Sequence, residues 1–249
     1  MSDEKSLKYN EPWILQRADP YVYRHTDGSY YFTASVPAYD GIVLRRAGTL
    51  AELSGAEEVM VWKKHESGPM SYHIWAPEIH YLFGKWYIYF AGGEAEDIWK
   101  IRPYVLECSG DDPLTDEWVE LGKMKRAAED EFSFEAFSLD ATVFENKGEY
   151  YYVWAEKVGV GKMISNLYIA KMESGNQLKT VQVLLTTPDY DWERKGFWVN
   201  EGPAVIHHDG KMFLTYSASE TGVDYCVGML SIDEDADILD PRLWKKERY

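Results

Sequence analysis

The sequence is poor in cysteine, in positive charge and in long apolar runs, and each shortage excludes a class of protein. Only Cys108 and Cys226 occur in 249 residues, far apart and outside any C-x-x-C spacing. That excludes a disulfide framework or a cysteine zinc site and leaves two ordinary reduced thiols. Against 42 Asp and Glu stand 26 Lys and Arg, a formal net charge of −16. A surface this acidic repels phosphate backbones and anionic bilayers, so no nucleic acid and no membrane is expected as a partner, and a neutral substrate fits better. No stretch approaches the roughly 18 apolar residues of a membrane span, and Met1-Ser2-Asp3-Glu4-Lys5-Ser6 lacks the apolar core of a secretory leader. The expectation that follows is a cytoplasmic protein. Helical signals are also few: Thr49 to Glu58 offers a turn or two, and Arg126 to Phe137 is an acidic, aromatic insertion without a clear period.

Aromatic residues are what the chain has in excess, with 19 Tyr, 10 Trp and 9 Phe. Flat rings pack well on a pleated surface, so the composition favours strands. Four segments resemble one another. They are Ala18-Asp19-Pro20-Tyr21 leading to Tyr30-Tyr31-Phe32-Thr33, Ala76-Pro77-Glu78-Ile79 leading to Trp86-Tyr87-Ile88-Tyr89-Phe90, Leu139-Asp140-Ala141-Thr142 leading to Tyr150-Tyr151-Tyr152-Val153-Trp154, and Asn200-Glu201-Gly202-Pro203 leading to Met212-Phe213-Leu214-Thr215-Tyr216. Between acid and aromatic run lies a glycine turn, at Asp27-Gly28, Gly84, Lys147-Gly148 and Asp209-Gly210. Strand, tight turn, strand is the pattern of a β-hairpin. The acids at 19, 78, 140 and 201 stand 59, 62 and 61 residues apart. A further apolar strand follows in each unit, at Ile42, Val105, Ile169 and Val227. A repeat of this period, holding three or four antiparallel strands, predicts an all-β protein: a β-propeller of four-stranded blades forming one domain over residues 1–249.

In a propeller the first strand of each blade lines the central channel, so residues at one equivalent position face a common axis. Carboxylates converging there repel one another, which keeps one protonated and another ionised near neutral pH. Glycoside hydrolysis needs that pair of states. A strand-opening acid also serves simply to accept backbone hydrogen bonds, and that structural reading is preferred for Glu78. Periodicity alone does not separate the roles of Asp19, Asp140 and Glu201.

The segments Ala18-Asp19-Pro20, Trp75-Ala76-Pro77-Glu78, Leu139-Asp140-Ala141 and Asn200-Glu201-Gly202-Pro203 resemble, in order and spacing, the signature segments of glycoside hydrolase family 43. The resemblance covers almost the whole chain. It implies a five-bladed propeller that works by inversion, with Asp19 as general base, Asp140 as modulator of the acid's pKa and Glu201 as general acid. It also implies a small oligosaccharide as substrate. Trp75, Phe197 and Trp198 are candidates for packing on the sugar ring, each with a competing place in the core, and Asn166 for bonding a hydroxyl, although an Asn ahead of a strand more often does turn chemistry. Asp19-Pro20-Tyr21-Val22, Ser165-Asn166-Leu167-Tyr168 and Asp237-Ile238-Leu239-Asp240-Pro241 are most similar to the exo-acting α-L-arabinofuranosidases of that family, ahead of its β-xylosidases. The rival from another class is a non-catalytic sugar-binding propeller.

Other signals are set aside. Asp233, Asp235 and Asp237 lack the glycine and the bidentate Glu of a calcium loop. Gly159-Val160-Gly161-Lys162 lacks the first glycine and the Ser or Thr of a phosphate loop. His73, His80, His207 and His208 have no zinc-ligand spacing. No metal and no cofactor is expected. Counted at the same interval, a fifth unit would open past Tyr249, so the expectation is a propeller short of its last blade at the C-terminus, with a partner chain or a second copy covering the open edge.

Overall fold

Alternation in Trp86-Tyr87-Ile88-Tyr89-Phe90 sets the architecture. Trp86, Ile88 and Phe90 join Tyr31, Ile42, Leu44 and Trp62 in one buried cluster, while Tyr87 and Tyr89 join Val143, Tyr152 and Trp154 in another. Successive side chains of a strand point to opposite faces, so a strand that is apolar on both faces belongs to a sheet packed between two others.

The computed structural model describes residues 12–158 and 164–248. The Gly159-Val160-Gly161-Lys162 segment and the first residues lie outside the described ones. Within them the chain forms four successive antiparallel meanders. The first comprises β1 (Ala18–Arg24), β2 (Tyr30–Ser35), β3 (Gly41–Ala47) and β4 (Val59–Lys63). The second comprises β5 (Tyr72–Leu82), β6 (Lys85–Glu94), β7 (Asp97–Cys108) and β8 (Val119–Lys123). The third holds β9 (Ser138–Asn146), β10 (Glu149–Val158), β11 (Ile164–Ser174), the short β12 (Gln177–Leu178) and β13 (Val183–Thr186). The fourth holds β14 (Trp198–His208), β15 (Lys211–Ala218), β16 (Cys226–Asp233) and β17 (Lys245–Lys246). Two parallel pairs, Ile164 with Trp198 and Ser165 with Val199, join the last two meanders. Among the described residues the helical content is three short 3-10 turns, one of them at Leu50–Gly55 inside the segment where a turn was expected. The protein is all-β with antiparallel sheets.

Each meander buries its faces against its neighbours. The third and fourth share a cluster built from Phe144, Val153, Leu167 and Ile169 on one side and Met212, Leu214, Tyr216 and Leu230 on the other. The first strands lie beside one another, β1 against β5, β5 against β9 and β9 against β14. That row is where the acids gather.

The turns follow from local chemistry. Lys147-Gly148 joins Asn146 to Glu149 with φ of 53° and 77°, and Asp209-Gly210 joins His208 to Lys211 with 49° and 73°. Both residues with positive φ make the primed turn that matches strand twist, and glycine enters that region without a Cβ penalty. The first hairpin differs: His25 to Ser29 forms a longer loop with only Gly28 left-handed. A Cβ on Gly148 would meet nothing within 4 Å, so Gly148→Ala isolates the backbone cost. A loss of about 1–2 kcal/mol is expected, read as a lower denaturant midpoint at unchanged slope.

Candidate active site

The first strand of every meander carries a one-residue irregularity. Pairing with the second strand skips between Ala18 and Tyr21, between Trp75 and Glu78, and between Glu201 and Ala204, and in the third meander β10 skips between Val153 and Ala155 opposite Leu139 and Thr142. At each skip one residue turns left-handed: Asp19 (φ 50°), Ala76 (44°), Asp140 (51°) and Gly202 (58°). A bulge of this kind re-aims a side chain and releases backbone groups from the ladder.

This register corrects the reading of the four acids as strict equivalents. Ala76, not Glu78, stands level with Asp19 and Asp140, and Glu201 precedes the left-handed residue instead of occupying it. Sequence spacing conceals the difference because it shifts the match by only one or two residues. Glu78 takes a different part. Its carboxylate meets His80 Nε2 at 2.9 Å and the Thr142 hydroxyl, and His80 Nδ1 lies 3.4 Å from the Tyr21 hydroxyl. The group ties β1, β5 and β9 together through side chains, where backbone bonds were expected.

The bulges of the second and fourth meanders supply donors to the acids of the first and third. The freed N–H of Ala76 donates to Ser35 Oγ at 2.8 Å, and that hydroxyl donates to Asp19 Oδ2 at 2.8 Å. The N–H of Gly202 donates to Asp140 Oδ2 at 3.1 Å. Glu201 Oε1 accepts from the Tyr225 hydroxyl at 2.8 Å.

Electrostatics ties the three carboxylates together. Burial holds Asp140 well above the usual carboxylate range, and the charges of Glu201 and Asp19 push it further, against the opposing Gly202 N–H. Glu201 is also raised, first by burial and then by the Asp19 charge, while the Tyr225 hydroxyl and the Lys157 ammonium pull it back. Two carboxyls under such mutual influence titrate as a pair that keeps a proton above the range of either alone. Lys157 itself is lowered by burial, and its ammonium lies 3.8 Å from the centre of the Phe137 ring.

The other predicted residues are placed variously. Trp75 directly precedes the bulge at Ala76, and its ring packs edge-on against Tyr39 with centroids 6.0 Å apart. Asn166 is not in a turn; it lies inside β11, 5% exposed, with Nδ2 reaching the Tyr168 hydroxyl at 3.4 Å. Its paired neighbour across the ladder is Glu156, and an apolar strand on both sides leaves an Asn there inside the sheet. Trp198 opens β14 with the Arg194 guanidinium 4.7 Å from its ring centre, and Phe197 beside it is exposed. Sequence reasoning missed Ser35, Tyr225 and Lys157. Ser35 ends a strand, Tyr225 precedes one and Lys157 follows an apolar run, and no motif marks any of them. A hollow of about 540 Å³ is lined by Ala18, Tyr39 and the Ser35 that bonds Asp19, among others. Among the described residues no group of three or more His, Cys, Asp or Glu is arranged to hold a metal.

A donor to a carboxylate favours its ionised form, so removing the donor raises its pKa. Tyr225→Phe is expected to move the Glu201 carboxyl titration upward, followed by carbon NMR of labelled carboxyls. Lys157→Met is expected to move it the same way. A downward shift in either would contradict the arrangement.

With this geometry in hand, three likenesses are informative. An extracellular exo-α-(1→5)-L-arabinofuranosidase of Streptomyces chartreusis is 48% identical over 96% of this chain and 71% of its own length. An enzyme of the same name from Streptomyces avermitilis is 48% identical over 97% of this chain, which spans 49% of that protein. The crystal structure of an α-L-arabinofuranosidase from Lactobacillus brevis superposes with a TM-score of 0.87 at 51% identity, covering 96% of this chain and 74% of that one. The word extracellular in the first two names overturns the expectation of a cytoplasmic protein. Its ground, the lack of an apolar core in residues 1–6, carries no weight against export. Residues 9–249 match the family described as Glycosyl hydrolases family 43. The chain belongs to that family.

Proposed function

We propose that this chain removes terminal α-L-arabinofuranosyl residues from arabino-oligosaccharides by an inverting single displacement. The observation that carries the reading is the set of three carboxylates in one row of first strands, each held by a donor of its own: Ser35 for Asp19, the Gly202 N–H for Asp140 and Tyr225 for Glu201. The names of the relatives at 48% identity support the choice of sugar and of exo action. On this reading the four meanders are four blades of a propeller, and the row of first strands lines its channel.

Asp19 accepts a proton from water as the water oxygen forms its bond to the anomeric carbon. Glu201 gives its proton to the glycosidic oxygen as that bond breaks, so one proton enters the site and one leaves. The two carboxyls of an inverting pair stand about 6.5–9.5 Å apart to admit the water. Asp140 acts on the acid in two ways. It shares the site's extra proton with Glu201, since burial and the Glu201 charge push the Asp140 carboxyl up, and its bond to the Gly202 N–H fixes the backbone beside Glu201. Trp75 lies next to this machinery and packs against the sugar.

The test pairs an aryl α-L-arabinofuranoside with an aryl β-D-xylopyranoside. Turnover of the first and little of the second is expected, and the reverse preference would move the assignment to xylose. Asp19→Asn is expected to lower kcat by roughly 10²–10⁴. Glu201→Gln should cost far less on an aryl leaving group than on an arabino-oligosaccharide, because a good leaving group needs little protonation. Equal losses on both would remove Glu201 from the acid's role, and proton NMR of the first-formed anomer checks inversion.

A further inference from the structure

One buried carboxylate takes no part in the chemistry above. Glu193 sits on the 3-10 turn Asp191–Glu193 and has no exposed surface. Donors converge on it from separate parts of the chain. The N–H groups of Asp189 and Tyr190 reach Oε2 at 2.8 Å, Asn200 Nδ2 and the Tyr216 hydroxyl reach Oε1 at 2.9 Å, and Lys246 Nζ donates to Oε2 at 2.8 Å. The side-chain donors belong to β14, β15 and β17. Gly228 makes room for one of them, since a Cβ there would come within 2.3 Å of the Tyr216 ring.

Stability does not account for this arrangement. A buried ion pair such as Glu193 with Lys246 is often no better than an apolar pair of the same volume. Asn200 is fully buried, and its Oδ1 has no hydrogen-bond partner among the described residues, which is destabilising. Its side-chain amide serves only as a donor, to Glu193 and to the Val199 carbonyl. What the arrangement does hold is the surroundings of Glu201. Asn200 directly precedes that residue, and on its other side the Gly202 N–H is tied to Asp140. Tyr225, the donor to Glu201, directly precedes Cys226, whose Sγ lies 3.5 Å from the Trp192 carbonyl. One short turn therefore holds the neighbour of the carboxyl through Glu193 and the neighbour of its donor through Trp192.

We propose that Glu193, pinned by Lys246, is the positioning residue of the general acid: through Asn200 it sets where the Glu201 carboxyl stands relative to Tyr225 and to the glycosidic oxygen. The proposal rests on the arabinofuranosidase reading above. Protonation matters most for a poor leaving group, and a misplacement of about 1 Å can cost roughly 10² in rate. The test therefore compares kcat on α-(1→5)-L-arabinotriose with kcat on an aryl α-L-arabinofuranoside. In Glu193→Gln and in Asn200→Ala the ratio, trisaccharide over aryl glycoside, is expected to fall roughly tenfold or more, with KM little changed. Asn200→Ala leaves the Glu193–Lys246 pair in place and decides the question should Glu193→Gln not fold. Gly148→Ala, destabilised at a remote turn, should keep the wild-type ratio, because loss of folded protein lowers both rates alike. A ratio unchanged or raised in Asn200→Ala, or an equal fall in Gly148→Ala, would overturn the positioning role. If wild type leaves either compound uncleaved, the functional reading fails by itself, and carbon NMR of the labelled Glu201 carboxyl decides the positioning. Asn200→Ala removes no charge and leaves Asp19, Asp140 and Lys157 in place, so an upward shift of the Glu201 titration reports a loosened Tyr225 bond and supports the role. An unchanged or lowered titration overturns it.

Discussion

The site depends on one backbone constraint, a left-handed residue in the first strand of each meander. In an unbroken strand, alternate side chains would all face one neighbouring sheet or the other, and a carboxylate there would sit in an apolar interface. The bulge rotates Asp19 and Asp140 out of that alternation. It also releases N–H groups that a regular ladder would consume, and those of Ala76 and Gly202 are the ones that hold the acids. The left-handed conformation costs an L-residue roughly 1–2 kcal/mol. Asp tolerates that region better than most residues and Gly enters it freely. Ala76 has no such excuse, and its bulge serves a carboxylate on another strand.

Electrostatics rests on that geometry. Burial first, and then the gathered charges, raise Asp140 and Glu201, and Tyr225 and Lys157 moderate the rise on Glu201. On the proposed reading, these opposed influences suit a group that holds a proton and then gives it up. Glu193 secures the strand that bears Glu201 from the other side. It is fully buried and accepts from Asn200 Nδ2 at 2.9 Å, from the Tyr216 hydroxyl at 2.9 Å and from Lys246 Nζ.

Sheet structure was legible in the sequence because it rests on period-two alternation and on glycine turns. Gly148 and Gly210 stand where the primed turns need them, and the aromatic runs at Trp86 and Tyr150 mark the second strands. The acids Asp19, Asp140 and Glu201 were legible as a recurring motif, and the structure brings them within electrostatic reach of one another. The equivalence drawn for Glu78 failed because the left-handed position of its strand is Ala76, two residues earlier, and spacings of about sixty residues do not resolve an offset of two. Ser35, Tyr225 and Lys157 escaped notice because each earns its place through a single contact across a long sequence separation. Asn166 misled because a polar residue before an apolar run reads as a turn, while here it lies within the sheet.

The relay from Ala76 through Ser35 to Asp19 has a consequence for how such a chain can change. The repeat suggests interchangeable modules, yet the position of the carboxylate in the first is set by the main chain of the second. Duplication, exchange or loss of one unit would displace a group that the unit itself does not contain. The repeats are modules of folding but not of heredity: once the donors and acceptors are divided between neighbours, the units descend together.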